Sequence, residues 1–104
     1  MNRYYWSGIC TQNRLVALQT ITPVIDRYAI ILHSQRYSDL AISFTLEVEE
    51  EEVQQFYEAL ATLLSLKPFV PSRPGKKPDC RVLLSITFTQ GSGSLKSEIP
   101  SVPG

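Results

Sequence analysis

The chain has 104 residues, of which 43% are hydrophobic and 19% charged, which suits one domain with a packed core and argues against wholesale disorder. Ten basic residues balance ten acidic ones, and a net charge near zero gives no long-range attraction to nucleic-acid phosphates or anionic lipid. No apolar run approaches the roughly 18 residues that span a bilayer, and Met1 to Trp6 lacks the features of a signal peptide. We therefore expect a cytoplasmic protein that binds neither nucleic acid nor membrane.

The N-terminal third predicts a strand followed by a helix. Residues 3–10 are rich in aromatic side chains, which favours a strand, and residues 11–13 offer polar caps for a helix. Apolar residues then recur at helical spacing: they are Leu15, Leu18, Ile21, Ile25 and Tyr28. Because a proline inside a helix costs about 3 kcal/mol, Pro23 predicts a kink, or an end near Ile21 and a restart.

The middle of the chain predicts a β-hairpin. Residues 29–33 form a short apolar run typical of a buried strand, and residues 34–39 read as a polar connection. Residues 40–48 alternate with period two, which indicates a strand with two distinct faces. One face carries Leu40, Ile42, Phe44, Leu46 and Val48, and the other carries Ala41, Ser43, Thr45 and Glu47.

The C-terminal half predicts a second helix, a long connection and a last strand. Residues 49–52 are four glutamates suited to a helix start, and the helix that follows has a continuous apolar stripe: Val53, Phe56, Tyr57, Leu60, Leu63 and Leu64. Residues 67–79 contain four prolines and predict a connection, and residues 80–88 alternate as a strand. Residues 89–104 look like a tail without its own core.

This order, βαββαβ, predicts an α+β ferredoxin-like sandwich over residues 1–88. Its sheet would have four antiparallel strands in the order 4-1-3-2, with both helices on one face. The opposite face is then bare, and it is either solvated or used by a second copy, through the face or an edge strand. We predict a homodimer with interface candidates on that face: Ala41, Ser43, Thr45, Leu83, Ser85 and Thr87.

The two cysteines lie at the end of the first predicted strand and the start of the last one. If those strands are antiparallel neighbours, Cys10 and Cys80 lie close together. Two buried thiols that pack as small hydrophobic groups are favoured over a disulfide, because the expected compartment is reducing.

Catalytic chemistry has little support in the sequence. His33 is the single histidine, so a histidine-based triad or metal site lacks ligands. The glutamates of the cluster at 47–52 could attract a hard cation, but carboxylates on one helix turn point in different directions. We predict no enzyme, no metal and no cofactor. The strongest ligand candidate is the turn before the first helix, where a helix N-terminus and a cation could cradle an anion; its residues are Thr11, Gln12, Asn13 and Arg14. That turn superficially resembles the acylphosphatase loop, which implies hydrolysis of acyl phosphates as a distant third function.

An RNA-binding module is a further candidate with the same strand order. The aromatic trio Tyr4, Tyr5 and Trp6 suits base stacking, but residues 40–46 carry no Lys, Arg or Gly on the third strand. Nucleic-acid binding is therefore not expected.

Residues 7–64 resemble an ACT domain, a small ferredoxin-like regulatory module. The matching features are Gly8 and Ile9 before a polar turn, the two striped helices, and the strands at 28–32 and 40–48. The resemblance implies self-association and an amino-acid effector bound between subunits. Arg14 stands where the family has an effector-contacting glycine, and its long side chain would fill space that a ligand uses.

Two hypotheses follow. The first is a non-enzymatic, ACT-like module that self-associates and senses a small-molecule effector or regulates a partner protein. The second is a structural or protein-interaction protein that uses the bare sheet face and the C-terminal tail. Fold alone does not decide between them, because this architecture hosts many activities.

Overall fold

The computed structural model describes residues 2–68 and 79–90, with side chains from Arg3 onward. Within these residues the chain is a mixed α+β fold with one sheet and two α-helices. The elements are β1 (Asn2–Asn13), α1 (Arg14–Tyr28), β2 (Ala29–Ser38), β3 (Ala41–Glu49), a 3₁₀ turn (Glu50–Glu52), α2 (Val53–Ala61), β4 (Ser65–Leu66) and β5 (Asp79–Gln90). The predicted α+β class is confirmed.

The sheet has five strands in the order β2-β3-β5-β1-β4. The last strand, β5, lies between β3 and β1. It is antiparallel to β3 and parallel to β1. The predicted four-stranded antiparallel sheet of order 4-1-3-2 is therefore wrong. The alternation within β5 specifies two faces but carries no information about which strands lie beside it, so the sequence could not place it at the centre.

The core lies between the sheet and both helices. Alternate residues of the three inner strands point to the helices, and they include Trp6, Leu46 and Leu84. The ring of Trp6 lies 5.5 Å from that of Phe56 on α2, centroid to centroid. Helix α1 adds fully buried Ala17, Ile21 and Ile25, and the helices also contact each other. The expected placement of both helices on one face agrees with this core.

Helix α1 begins where the sequence indicates but continues through Pro23. The side chain of Asn13 accepts a hydrogen bond from the backbone N–H of Val16 at 3.0 Å, which is an N-cap. Of the two alternatives predicted for Pro23, an end near Ile21 is wrong, because the helix runs on to Tyr28, and the kink stays a prediction. Ile21 and Ile25 are both fully buried, and burial worth about 1.5–3 kcal/mol each outweighs the proline penalty.

Strand β2 differs most from its prediction. It does not end at His33 but continues to Ser38, so the expected connection at 34–39 is mostly strand. It is also not buried, since every residue after Ala29 is exposed. The physical reason is its position at the sheet edge, beyond the part of the sheet that the helices cover.

Two further differences concern the ends of predicted segments. The two-residue strand β4, which the sequence did not indicate, pairs with β1 at Gly8 and Ile9. A Cβ atom at Gly8 would lie 2.8 Å from Leu66 Cδ2, so the side chain of Leu66 packs directly over this glycine. Strand β5 includes residues 89 and 90, two residues beyond the predicted domain end. Most of the predicted connection (69–78) and residues 91–104 of the predicted tail lie outside the described residues.

Candidate interaction surface

The face of the sheet opposite the helices, here called the open face, is formed by the odd-numbered residues of β1, β3 and β5 and their neighbours on β2. Strand register aligns them in rows, such as Ser7, Ser85 and Ser43 across three strands. On β1, β3 and β5, its most exposed apolar side chains are Tyr5, at 70%, and Ile9, at 51%. Within the described residues no helix or strand covers this face, so it is available for contact with another molecule.

All six predicted interface residues lie on the open face, as their alternation indicated. Thr87 is exposed, whereas Ala41, Thr45, Leu83 and Ser85 are partly buried by their neighbours. Ser43 is buried because Tyr37 lies over it, with the two hydroxyl oxygens 3.5 Å apart. Sequence periodicity thus placed these residues together, and their role in an interface stays a prediction.

Strand β2 exposes apolar side chains on both of its faces. Ile30 is 63% exposed, Ile31 36% and Leu32 44%, and Tyr37 further along is 64% exposed. On its outer edge, no strand of the described chain pairs with it, so its outward backbone groups have no sheet partner. Bulges in the pairing with β3, near residues 32 and 37, interrupt the ladder without shortening the strand. An edge with exposed apolar side chains at residues 30–32 and 37 has the features that favour strand addition.

An acidic cavity of about 410 Å³ lies at the start of β2. Arg27 is the lone cation among its lining residues. Five carboxylates also line it: those of Asp26, Glu47, Glu49, Glu52 and Asp79. A hydrogen bond with Glu52 and the negative charges of Glu52 and Asp79 raise the pKa of Glu49. The repulsion behind this shift would be relieved by a cationic group from outside.

Three of the four residues predicted to bind a ligand already contact other residues of the chain. Asn13 caps α1, and Nη1 of Arg14 lies 3.3 Å from the carboxylate of Asp39, which follows β2. The backbone carbonyl of Thr11 accepts a hydrogen bond from the side chain of Gln90, while Gln12 is exposed. Arg14 is only 11% exposed, and its charge is partly balanced by Asp39. Ligand binding by these four residues stays a prediction.

The two cysteines are far apart, contrary to expectation. Because β1 and β5 run parallel, Cys10 pairs with Phe88 at one end of the strands while Cys80 pairs with Asn2 at the other. Eight residues of extended chain separate these positions, roughly 26 Å. Both thiols are free and buried, so the alternative of buried thiols is confirmed and the predicted proximity is wrong.

The aromatic trio at 4–6 does not form one stacking surface. Tyr4 and Trp6 point into the core, where Trp6 is 2% exposed, and Tyr5 alone points outward. His33 lies exposed on β2. Among the described residues, no group of three or more His, Cys, Asp or Glu side chains is arranged to hold a metal ion. Neither helix of that same part combines the length and apolarity needed to cross a membrane.

Over residues 2–68 and 79–90, the fold and these surfaces define a small α+β domain in which no helix or strand covers the open face or pairs with the outer edge of β2. Comparisons with models of known protein families, with curated proteins and with solved structures found no match. The resemblance to ACT domains therefore stays a prediction. The observed strand order also differs from the order 4-1-3-2 predicted for a ferredoxin-like sandwich.

Proposed function

We propose that this chain is a non-catalytic interaction module that works as a pair of identical copies joined along β2. The single observation that carries the proposal is the exposure of apolar side chains along a ten-residue edge strand. Edge strands of monomers are usually short, charged or covered, because an open apolar edge pairs with other strands. The charges of this chain favour a second copy of the chain as the partner of that edge.

If two β2 strands pair antiparallel about a twofold axis, the helix-covered faces of both sheets lie on the same side of the joined sheet. On the helix side, β2 presents Ala29 and Ile31 before its first bulge and Ser34 and Arg36 after it. Placing Ala29 opposite the partner's Arg36 also places Ile31 opposite the partner's Ser34. Each matched pair then lies on one side of the joined sheet, as antiparallel pairing requires.

Charge complementarity supports this register. It brings the partner's Arg36 beside Ala29, which lines the acidic cavity. The cavity holds five carboxylates against one arginine, so an incoming guanidinium meets a complementary potential. Symmetry repeats the contact at the other end of the joint. The apolar contribution comes from Ile30 and Leu32, which lose solvent exposure near the twofold axis.

Analytical ultracentrifugation of the full chain tests the proposal. We expect a dimer whose dissociation constant rises with salt, since the joint includes charge pairs. Ile30→Lys should weaken the dimer at least tenfold, or about 1.4 kcal/mol, because it places a charge at the joint. Ile9→Lys is the matched control: it makes the same exchange at a similarly exposed residue of the same face, on β1, which lies three strands away from β2 in the sheet. We expect it to leave the dimer intact.

A second variant tests the charge contact separately. Arg36→Glu would set a carboxylate against the acidic cavity and should also favour the monomer. A wild-type chain that is monomeric at high concentration would overturn the proposal. Dissociation by Ile9→Lys but not by Ile30→Lys would show instead that copies meet through the open face, where the six predicted interface residues lie.

A further inference from the structure

A pair of arginines lies side by side at one end of the open face, away from the turn predicted to bind a ligand. The parallel register of β1 and β5 aligns Arg3 with Arg81, so two guanidinium groups occupy neighbouring positions on the same face. Like charges directly opposite each other in a sheet are destabilising unless something compensates them. This arrangement arises only from the tertiary pairing of the two strands.

Arg81 has unused hydrogen-bonding capacity. Its Nε atom is buried and has no hydrogen-bond partner. Its neighbour on β3 is Glu47, but within the described residues neither Glu47 nor another carboxylate forms an ion pair with Arg81 or Arg3. A buried donor without a partner is unfavourable, and a bound acceptor would supply that partner.

A cavity of about 170 Å³ adjoins both arginines. Tyr5 and Leu83 supply its aromatic and aliphatic walls, and Thr45 adds a hydroxyl group. Tyr5 is 70% exposed, so its ring is free to cover a bound molecule. Cationic donors at one end and apolar walls along the side are the features of a site for a small molecule with a charged head and an apolar body.

We propose that Arg3 and Arg81 bind the carboxylate of a small organic acid whose apolar body packs between Tyr5 and Leu83. A carboxylate accepts paired N–H donors from a planar guanidinium, and it would satisfy Arg81 while separating the two positive charges. The apolar walls favour such a ligand over inorganic phosphate, which matches the charge but has no body to bury. This site is independent of pairing along β2.

Titrations of the full chain followed by amide NMR test the proposal with three probes. Benzoate has the charge and the body, benzamide has the body alone, and inorganic phosphate has the charge alone. Benzoate should shift the amides of Tyr5, Thr45 and Leu83 and leave the indole N–H of Trp6, on the other side of the sheet, unmoved. Phosphate and benzamide should each bind at least tenfold more weakly.

Variants assign the binding to the arginine pair. Arg81→Lys keeps the charge but removes the planar donor pair, and we expect about tenfold weaker benzoate binding. Arg3→Gln, at an exposed position, should weaken it similarly without affecting the core. The control is Lys67→Gln, which removes an exposed positive charge outside this cavity and should bind as the wild type does. Thermal unfolding of each variant confirms that it is folded.

Three results would overturn the proposal. Equal affinity for benzamide and benzoate would mean that the arginines do not recognise charge. Equal affinity for phosphate would remove the role of the apolar walls. Wild-type affinity in both Arg81→Lys and Arg3→Gln would place any bound acid elsewhere on the chain.

Discussion

Raising the pH should destabilise this protein through the thiol of Cys80. This side chain is fully buried, and its Sγ donates a hydrogen bond to the backbone carbonyl of Val48 at 3.3 Å. Burial, with added repulsion from the negative charges of Glu50 and Asp79, raises the pKa of Cys80 from 9.0 to about 12. The folded chain therefore keeps a proton that the unfolded chain releases.

The sign and size of the effect follow from the two pKa values. Below pH 9 both states hold the proton and the thiol adds no pH dependence. Between pH 9 and pH 12 only the unfolded state loses it, so the free energy of unfolding falls as pH rises. At pH 10 the thiol should have removed about 1 kcal/mol of stability relative to pH 7, and at pH 11 about 3 kcal/mol.

Urea unfolding at pH 7, 10 and 11 measures this loss, with reductant present to keep both thiols free. The control is Cys80→Ala, which cannot release a proton from this position and so removes the thiol's share of the pH dependence. Other groups titrate equally in both proteins, so the difference between their pH profiles isolates Cys80. Parallel profiles for the two proteins would refute the reasoning.

Two stability predictions concern the core and the first helix. Phe56 is fully buried, with its ring centroid 5.5 Å from that of Trp6 and 5.7 Å from that of Tyr28. Phe56→Ala should therefore cost about 3–5 kcal/mol in urea unfolding, with Phe56→Leu costing clearly less, and a loss below about 1 kcal/mol would show that the ring is not part of a tight core. Asn13→Ala should cost about 1 kcal/mol by removing the cap of α1, and Asn13→Asp should restore most of it. Equal losses in the two Asn13 variants would mean that the capping oxygen contributes nothing.

Part of the candidate surface was predictable because it depends on local geometry. Alternation along residues 40–48 and 80–88 assigned each side chain to a face, and the six predicted interface residues do lie on the open face. The cavity beside Arg3 and Arg81 was not predictable in this way. It depends on the parallel register of two strands that are about 78 residues apart in sequence, and no local pattern encodes that register.

The edge position of β2 illustrates the same limit. Residues 29–33 look like a buried strand, because composition reports the tendency to be buried and not the space available. The central, buried position in the sheet is occupied by β5, which pairs with a strand on both edges and lies under the helices. The apolar run was left exposed, and this is the feature from which we infer self-association.

The sequence by itself determined the α+β class, the presence of two helices, polar cap candidates at residues 11–13 before the first helix, and the faces of β3 and β5. These follow from side-chain period and short-range hydrogen bonding, which act within a few residues. Only the tertiary structure decided that β5 runs parallel to β1 at the centre of the sheet, that the cysteines lie at opposite ends, and that β2 is an open edge. These outcomes depend on competition between distant segments for the same neighbours, because the strand pairing with the largest shared burial excludes the others.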